Sequence, residues 1–392
     1  MVSRRHILQG AGSVTALNAI GLPGLSLAAP ATPNRLVVVI LRGGMDGLAA
    51  VPAYGDPHYA SARGPLAIPP PGADNGALAL DGFFGLNPKL SAVAKMYTAG
   101  QVLPVHATCV PYHGRSHFEA QNVLENGSAI PYGLKTGWLN RALMGLPTRS
   151  DVGIALTQAM PVLMRGDASV TSWYPSVLPQ PRADTLRRLE ALYENDAKLA
   201  QALARARQAN AMSGRDQGGG GRFPRLMRAA GDFLATDDGP RVAMIESTGW
   251  DTHASQNLPL GALQRNLSEL DRGIGEFKNA VGPAWSSTVV LVMTEFGRTV
   301  AANGTLGSDH GTGGAAFILG GAVNGGRVLA DWPGLQVPAL YEERDLRPTT
   351  DLRAVMKGLL ISHLDVDAAF IEREVFPDSR SVTPLDGLTV TS

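Results

Sequence analysis

Arg35-Leu-Val-Val-Val-Ile-Leu41 is apolar at every position after the first, with no alternation. Such a run marks a strand buried on both faces, as in a parallel sheet covered by helices. It ends in the glycine-rich turn Arg42-Gly43-Gly44-Met45-Asp46-Gly47. Further apolar runs predict strands at 102–107, 241–246, 288–294 and 315–319. Between these runs the spacing turns helical. Asn87-Pro88 opens a predicted helix to about Ala99, with Asn as N-cap and Pro in the first turn. Other helices are predicted from Ser116 to near Gly127, around 225–234, over about 257–282 and over about 350–363. In residues 183–212, Leu186, Leu189, Leu192, Tyr193, Leu199, Ala200 and Leu203 fall at helical spacing. They predict one long amphipathic helix, either a packing arm or a cap over a site. Strands alternating with helices predict an α/β fold with a mostly parallel central sheet sandwiched between helices. The economical division is one domain over 32–392, with 183–235 as a helical insertion or cap.

In an open parallel sheet the site gathers beyond the carboxyl ends of the strands. The residues there are rich in acids and histidines. Asp46 follows the first strand, and Arg115-Ser116-His117 follow the second. Glu246 and Asp251-Thr252-His253 follow the third, Glu295 and Arg298 the fourth, and Asp309-His310 precede the fifth. Carboxylates and imidazoles suit divalent ions, zinc foremost, with manganese, magnesium or calcium as alternatives. Two such ions can clamp the attacking and leaving oxygens of a displacement at phosphorus or sulfur. Ser116 opens a helix, where unpaired N–H groups favour an anion, so it is a candidate nucleophile. It also fits a plain capping box with Glu119. Arg115 and Arg298 can fork onto the oxygens of a tetrahedral anion, or pair with neighbouring carboxylates. His106, inside a predicted strand, and His363, beside Leu359, Leu360 and Leu364, read as packing residues.

Charge and composition narrow the class. The 392 residues carry 34 Lys+Arg and 34 Asp+Glu, so the chain has no electrostatic footprint for nucleic acid. A 44% hydrophobic share excludes a disordered chain, and one Cys excludes a disulfide framework or multi-thiolate metal site. The first 31 residues read as an address. Ser3-Arg4-Arg5-His6 precedes a mildly apolar stretch without acids, and small-residue cleavage sites follow near Ala28 and Ala31. The pattern resembles a twin-arginine signal, with a Sec signal as the alternative, and predicts export to the periplasm or exterior. No later stretch is long and apolar enough to span a membrane.

Six segments in order carry a wider resemblance: Leu41-Arg-Gly-Gly-Met-Asp-Gly-Leu48, Arg115-Ser-His-Phe118, Gly137-Trp-Leu-Asn-Arg141, Thr294-Glu-Phe-Gly-Arg-Thr299, Asp309-His-Gly311 and Asp331-Trp-Pro-Gly-Leu335. They resemble a family of exported bacterial proteins that carry a twin-arginine-signal domain of unknown function. That family is placed among alkaline-phosphatase-like and sulfatase-like proteins. The resemblance implies an alkaline-phosphatase-like fold with a two-metal centre at the strand ends. Asp46 matches the superfamily's first metal-binding Asp, and Glu246 with Asp251 matches a Glu and an Asp five positions on. The His expected four beyond that Asp comes after two, at His253. Glu295-Phe296 stands where Asp-His is usual. His310-Gly-Thr-Gly313 resembles the later His-bearing segment, unless Asp309-His310 is itself the Asp-His pair. Counting back from Gly127 to the superfamily nucleophile lands on His117, one position from Ser116. Cys109-Val-Pro-Tyr-His113 has His where a formylglycine sulfatase needs Arg.

The expectation is an exported metal-dependent hydrolase of phosphate or sulfate esters on small molecules or glycans. Asp251, His253 and His310 would hold one ion, and Asp46 and Glu295 the other. Ser116 or a metal-bound hydroxide would attack. The alternative is an envelope binding or assembly protein that keeps the fold with reduced catalysis.

Overall fold

The structure, a computed structural model, describes residues 33–146, 153–175, 183–194, 196, 200, 203, 221–236, 239–258 and 261–390. The expected signal at 1–31 and most of the helix expected beyond 194 lie outside the described residues.

The apolar run at 35–41 becomes β1 (Arg35–Arg42), hydrogen-bonded on both sides in the middle of the sheet. Other strands are β2 (Leu78–Ala79), β3 (Gly85–Leu86), β4 (Val102–Cys109), β5 (Gly153–Leu156) and β6 (Val170–Ser172). They are followed by β7 (Val242–Thr248), β8 (Thr288–Thr294), β9 (Gly314–Leu319) and β10 (Thr350–Asp351). Eight of them form one sheet in the order β10-β4-β9-β8-β1-β7-β5-β6, while β2 and β3 pair separately. All pairings within the large sheet are parallel except those of β9, which runs antiparallel to both β4 and β8.

Side-chain alternation along β1 feeds two cores. Val37, Val39 and Leu41 pack on one face, and Leu36, Val38 and Ile40 on the other. The first face is covered by helices α3 (Ser91–Thr98), α7 (Arg222–Ala235) and α8 (Ala262–Val281). The second is covered by α4 (His117–Asn126), α5 (Trp138–Met144) and α9 (Leu352–Ser362). Short helices α1 (Gly47–Ala50) and α2 (Tyr59–Arg63) follow β1. This is the mixed α/β architecture expected from the pattern, a central sheet between two helical layers with helical insertions. Helix α6 (Ala183–Tyr193) begins the predicted long helix; its Leu186 and Leu189 are half-buried and its Leu192 is exposed. Strands β2, β3, β5, β6 and β10 are not among the predicted elements, because strands of two to four residues show no period, and helix α5 is too short, at seven residues, to show a clear stripe. Among the described residues, no helix is long and apolar enough to cross a membrane.

Two histidines belong to the cores. His106 donates from Nε2 to the Val51 carbonyl at 2.9 Å and accepts at Nδ1 from the Ala107 N–H at 2.8 Å, which requires a neutral ring. His363 donates from Nε2 to the Arg35 carbonyl at 2.9 Å. Burial pushes both imidazoles down to about 4. The unfolded chain takes up these protons near 6.5, so their stability contribution is complete above that pH and is lost as pH falls toward 4. Each is expected to cost roughly 3 kcal/mol over that window. Urea unfolding at pH 7 and at 4.5 checks this, and the His363→Gln chain should show a flatter acid limb than the parent. Equal slopes would contradict the assignment.

Candidate metal centre

The carboxyl ends of β1, β7 and β8 lie along one edge of the sheet. Because β9 is antiparallel to β8, the loop 295–313 leaves β8 and enters β9 on that same edge. Residues that precede β9 in the sequence therefore stand beside residues that follow the parallel strands. Close approaches of backbone hold the loops together. A Cβ on Gly43 (φ +121°) would sit 2.5 Å from the Asp251 nitrogen, and one on Gly307 would sit 2.2 Å from the His253 carbonyl carbon.

Three imidazoles and one carboxylate converge there. His310 Nε2 lies 3.0 Å from His117 Nε2, 3.1 Å from His253 Nε2 and 3.2 Å from Asp251 Oδ1. Asp251 also approaches His253 Nε2 at 2.9 Å through Oδ1, and His117 Nε2 at 3.4 Å through Oδ2. Among the described residues, His117, Asp251 and His310 have ligand atoms that all lie within 4.8 Å of one another. His253 adjoins that trio. Phe296, buried at the end of β8, packs against the rings of His117 and His310 at centroid distances of 4.7 and 5.3 Å.

Each ring is anchored from behind. His117 donates from Nδ1 to Glu295 Oε1 at 2.8 Å, His253 from Nδ1 to Asp309 Oδ1 at 3.0 Å, and His310 from Nδ1 to the Arg115 carbonyl at 3.0 Å. An imidazole that donates from Nδ1 keeps a lone pair on Nε2 unless it is fully protonated. Lone pairs facing each other at about 3 Å repel unless a proton or a metal ion accepts them. Outer partners on the remote nitrogen are the usual support of histidine metal ligands. The donor set therefore fits a divalent cation.

The charges respond to this crowding. The Glu295 hydrogen bond is the main cause that raises the His117 pKa, against the effect of burial. Burial, followed by the charge on His117, lowers that of His310. Burial pushes the Asp251 carboxyl up, yet the Arg298 guanidinium and the two histidines beside it hold it below the ordinary carboxylate range. Burial likewise opposes ionisation of Glu295, and hydrogen bonds from His117, Gln121 and the Gly43 N–H outweigh it. For Asp309, hydrogen bonds from Asn303 and His253 lower the pKa.

The remaining candidates have other partners. Asp46 caps α1 through the Ala49 N–H and is gripped by Arg63 at 2.6 Å and Gln256 at 2.5 Å. Glu246 pairs with Arg42 at 2.6 Å. Glu295 accepts three hydrogen bonds on Oε1 and one from Thr294 on Oε2, so it serves His117 from behind. Arg298 is buried, donating to Asp251 Oδ1 at 2.6 Å and to the Ser308 carbonyl. Arg115 pairs with Asp345 and Glu342. Ser116 occupies the N-cap position of α4 without a side-chain cap bond, and Glu119 accepts from the Tyr112 hydroxyl, so the expected capping box does not form.

Gln121, Gln256 and Asp345 were not foreseen. Gln121 had a signal, since it lies one turn beyond His117 and both donate to Glu295 from one helix face. Gln256 and Asp345 had none, because the partners that tie them to the site, Asp46 and Arg115, lie more than 200 residues away.

The fold and site thus define a mixed α/β protein with a candidate divalent-metal cluster at the strand ends. Residues 87–372 match the family described as "Protein of unknown function (DUF1501)", and the chain belongs to that family. No curated protein matches the sequence. Among solved structures it is similar to a protein in the alkaline phosphatase superfamily from Vibrio parahaemolyticus. That match has 11% identity over 92% of this chain and 75% of that one, at a TM-score of 0.40. It is also similar to Ps i-CgsB in complex with k-i-k-neocarrahexaose, at 9% identity, 86% and 72% coverage and a TM-score of 0.41. A third is the lipoteichoic acid synthase LtaP from Listeria monocytogenes, at 11% identity, 78% and 68% coverage and a TM-score of 0.36.

Proposed function

We propose that this protein is an exported hydrolase of phosphate or sulfate esters that uses one divalent ion held by His117, Asp251, His253 and His310. The observation that carries the reading is the convergence of three Nε2 atoms and the Asp251 carboxylate while every Nδ1 is occupied by an acceptor. The class of ester is the one that the sequence resemblance to alkaline-phosphatase-like and sulfatase-like proteins implies, and the donors gathered at the carboxyl ends of the strands support it. A single ion is preferred because Asp46 and Glu295, expected to hold a second, are engaged by Arg63, Gln256, His117 and Gln121.

When bound, the ion supplies Lewis-acid polarisation of an ester oxygen and offsets the negative charge of the carboxylates. The chain's own part is to orient the donors and leave one side open. Asp251 and His253 keep side-chain exposures of 41% and 45%, so a substrate can reach them. Helix α4 starts at His117, and Ser116 makes no side-chain cap bond to its first turn, whose N–H groups are the proposed donors to an anionic ester. Ser116, next to the ligand His117, is the proposed nucleophile. Arg298 fixes Asp251 and is spent on that pairing.

Protein recovered from the periplasm is expected to contain one divalent ion per chain by elemental analysis. It should hydrolyse phosphomonoesters, phosphodiesters or sulfate esters, and lose that activity in a chelator. Metal-free protein would refute the centre, and recovery from the cytoplasm alone would refute export. Stoichiometric metal without turnover would favour the binding or assembly role.

A further inference from the structure

We infer that Asp345 is a positioning residue that holds His310 and the start of α4 in register through a pair of arginines. The inference rests on the proposed metal centre and adds to it a carboxylate that touches no ligand directly. The Asp345 side chain is fully buried. It accepts from Arg115 Nε at 2.9 Å and from Arg344 Nε at 2.8 Å. Both arginines then reach His310 from different directions. The Arg115 carbonyl accepts from His310 Nδ1 at 3.0 Å, and Arg344 Nη2 donates to the His310 carbonyl at 2.7 Å.

Arg115 has a positive φ of 57°, an uncommon backbone state for a side chain of its size. That state has to be held by the surroundings, and the Asp345 carboxylate is the buried partner that holds its guanidinium. Arg115 lies two residues before His117, so the same pairing also sets where α4 begins. Asp345 is itself fixed, because its backbone pairs with Tyr341 and forms a bridge to Thr299. Thr299 in turn bonds both ways to the backbone of Asp309, the neighbour of His310. One buried carboxylate thus determines which nitrogen of His310 carries the proton and where its lone pair is presented.

The test uses the Asp345→Asn chain, with Arg344→Gln as a second variant because Arg344 is half exposed and its loss is tolerable for folding. Two readouts are taken: Zn2+ affinity by chelator competition, and the ring tautomer of His310 by 15N NMR on metal-free protein. Asp345→Asn is expected to weaken Zn2+ binding roughly 10–100-fold and to mix the His310 tautomers, with Arg344→Gln several-fold weaker than the parent. Glu342→Gln, which removes only the exposed partner of Arg115, should leave affinity within about twofold. Parental affinity and a single Nδ1–H tautomer in folded Asp345→Asn or in Arg344→Gln would overturn the inference. A parent chain that binds no Zn2+ would refute the metal centre instead, and the tautomer would still decide the role of Asp345.

Discussion

Replacing His310 with alanine is expected to remove bound metal and ester hydrolysis together. His310 Nε2 is the atom that approaches all three other donors, so its loss breaks the cluster at its middle. Removing an outer partner of a metal ligand costs about 10–100-fold in affinity, and removing a ligand should exceed that range. The side chain is partly exposed, so the variant should still fold. Elemental analysis after dialysis, with a thermal scan of the metal-free chains as control, reads the result. Asp309→Asn provides the scale, since Asp309 supports His253 only from behind. Full metal content in His310→Ala would remove the basis for the proposed centre.

The largest loss of stability is expected at Asp46. It and Arg63 are both buried and pair at 2.6 Å, with Gln256 donating to the same oxygen. Taking one partner from a buried ion pair leaves an uncompensated charge, at a cost of about 3–5 kcal/mol. Asp46→Ala should therefore lower the urea midpoint sharply. Changing both residues together, as Asp46→Leu with Arg63→Met, should recover most of the loss because no lone charge remains. Both chains should keep one metal ion. A stable Asp46→Ala chain that has lost its metal would restore Asp46 to the ligand set. A polar relay links the pair to the centre: Gln256 also accepts from Ser308, and Ser308 accepts from Arg298, the partner of Asp251.

Much of the layer structure was legible because burial on both faces leaves a mark that needs no partner. Runs such as Arg35–Leu41 and Thr288–Thr294 are apolar at nearly every position, whatever strand lies beside them. The stripes of α7 and α8 were legible for the same reason, through their helical period. Position at a strand end likewise marks Asp251, His253, Glu295 and His310 in the sequence alone. What periodicity does not carry is the partner of a polar group. Asp46 and Asp251 look alike along the chain, but one meets Arg63 inside the fold and the other meets three imidazoles.

The sequence by itself determined the two-sided sheet, its helical layers and the set of acids and histidines that crowd its strand ends. Those features are written in local pattern, which burial imposes residue by residue. Tertiary structure alone decided the direction of β9, and with it the meeting of His310 with His117 and Asp251 across the sheet edge. It alone also separated ligand from support, turning Glu295 into the anchor of His117 and Asp345 into the clasp of two arginines. The physical reason is that a carboxylate's role depends on which donors surround it, and the fold brings those donors from separate segments of the chain.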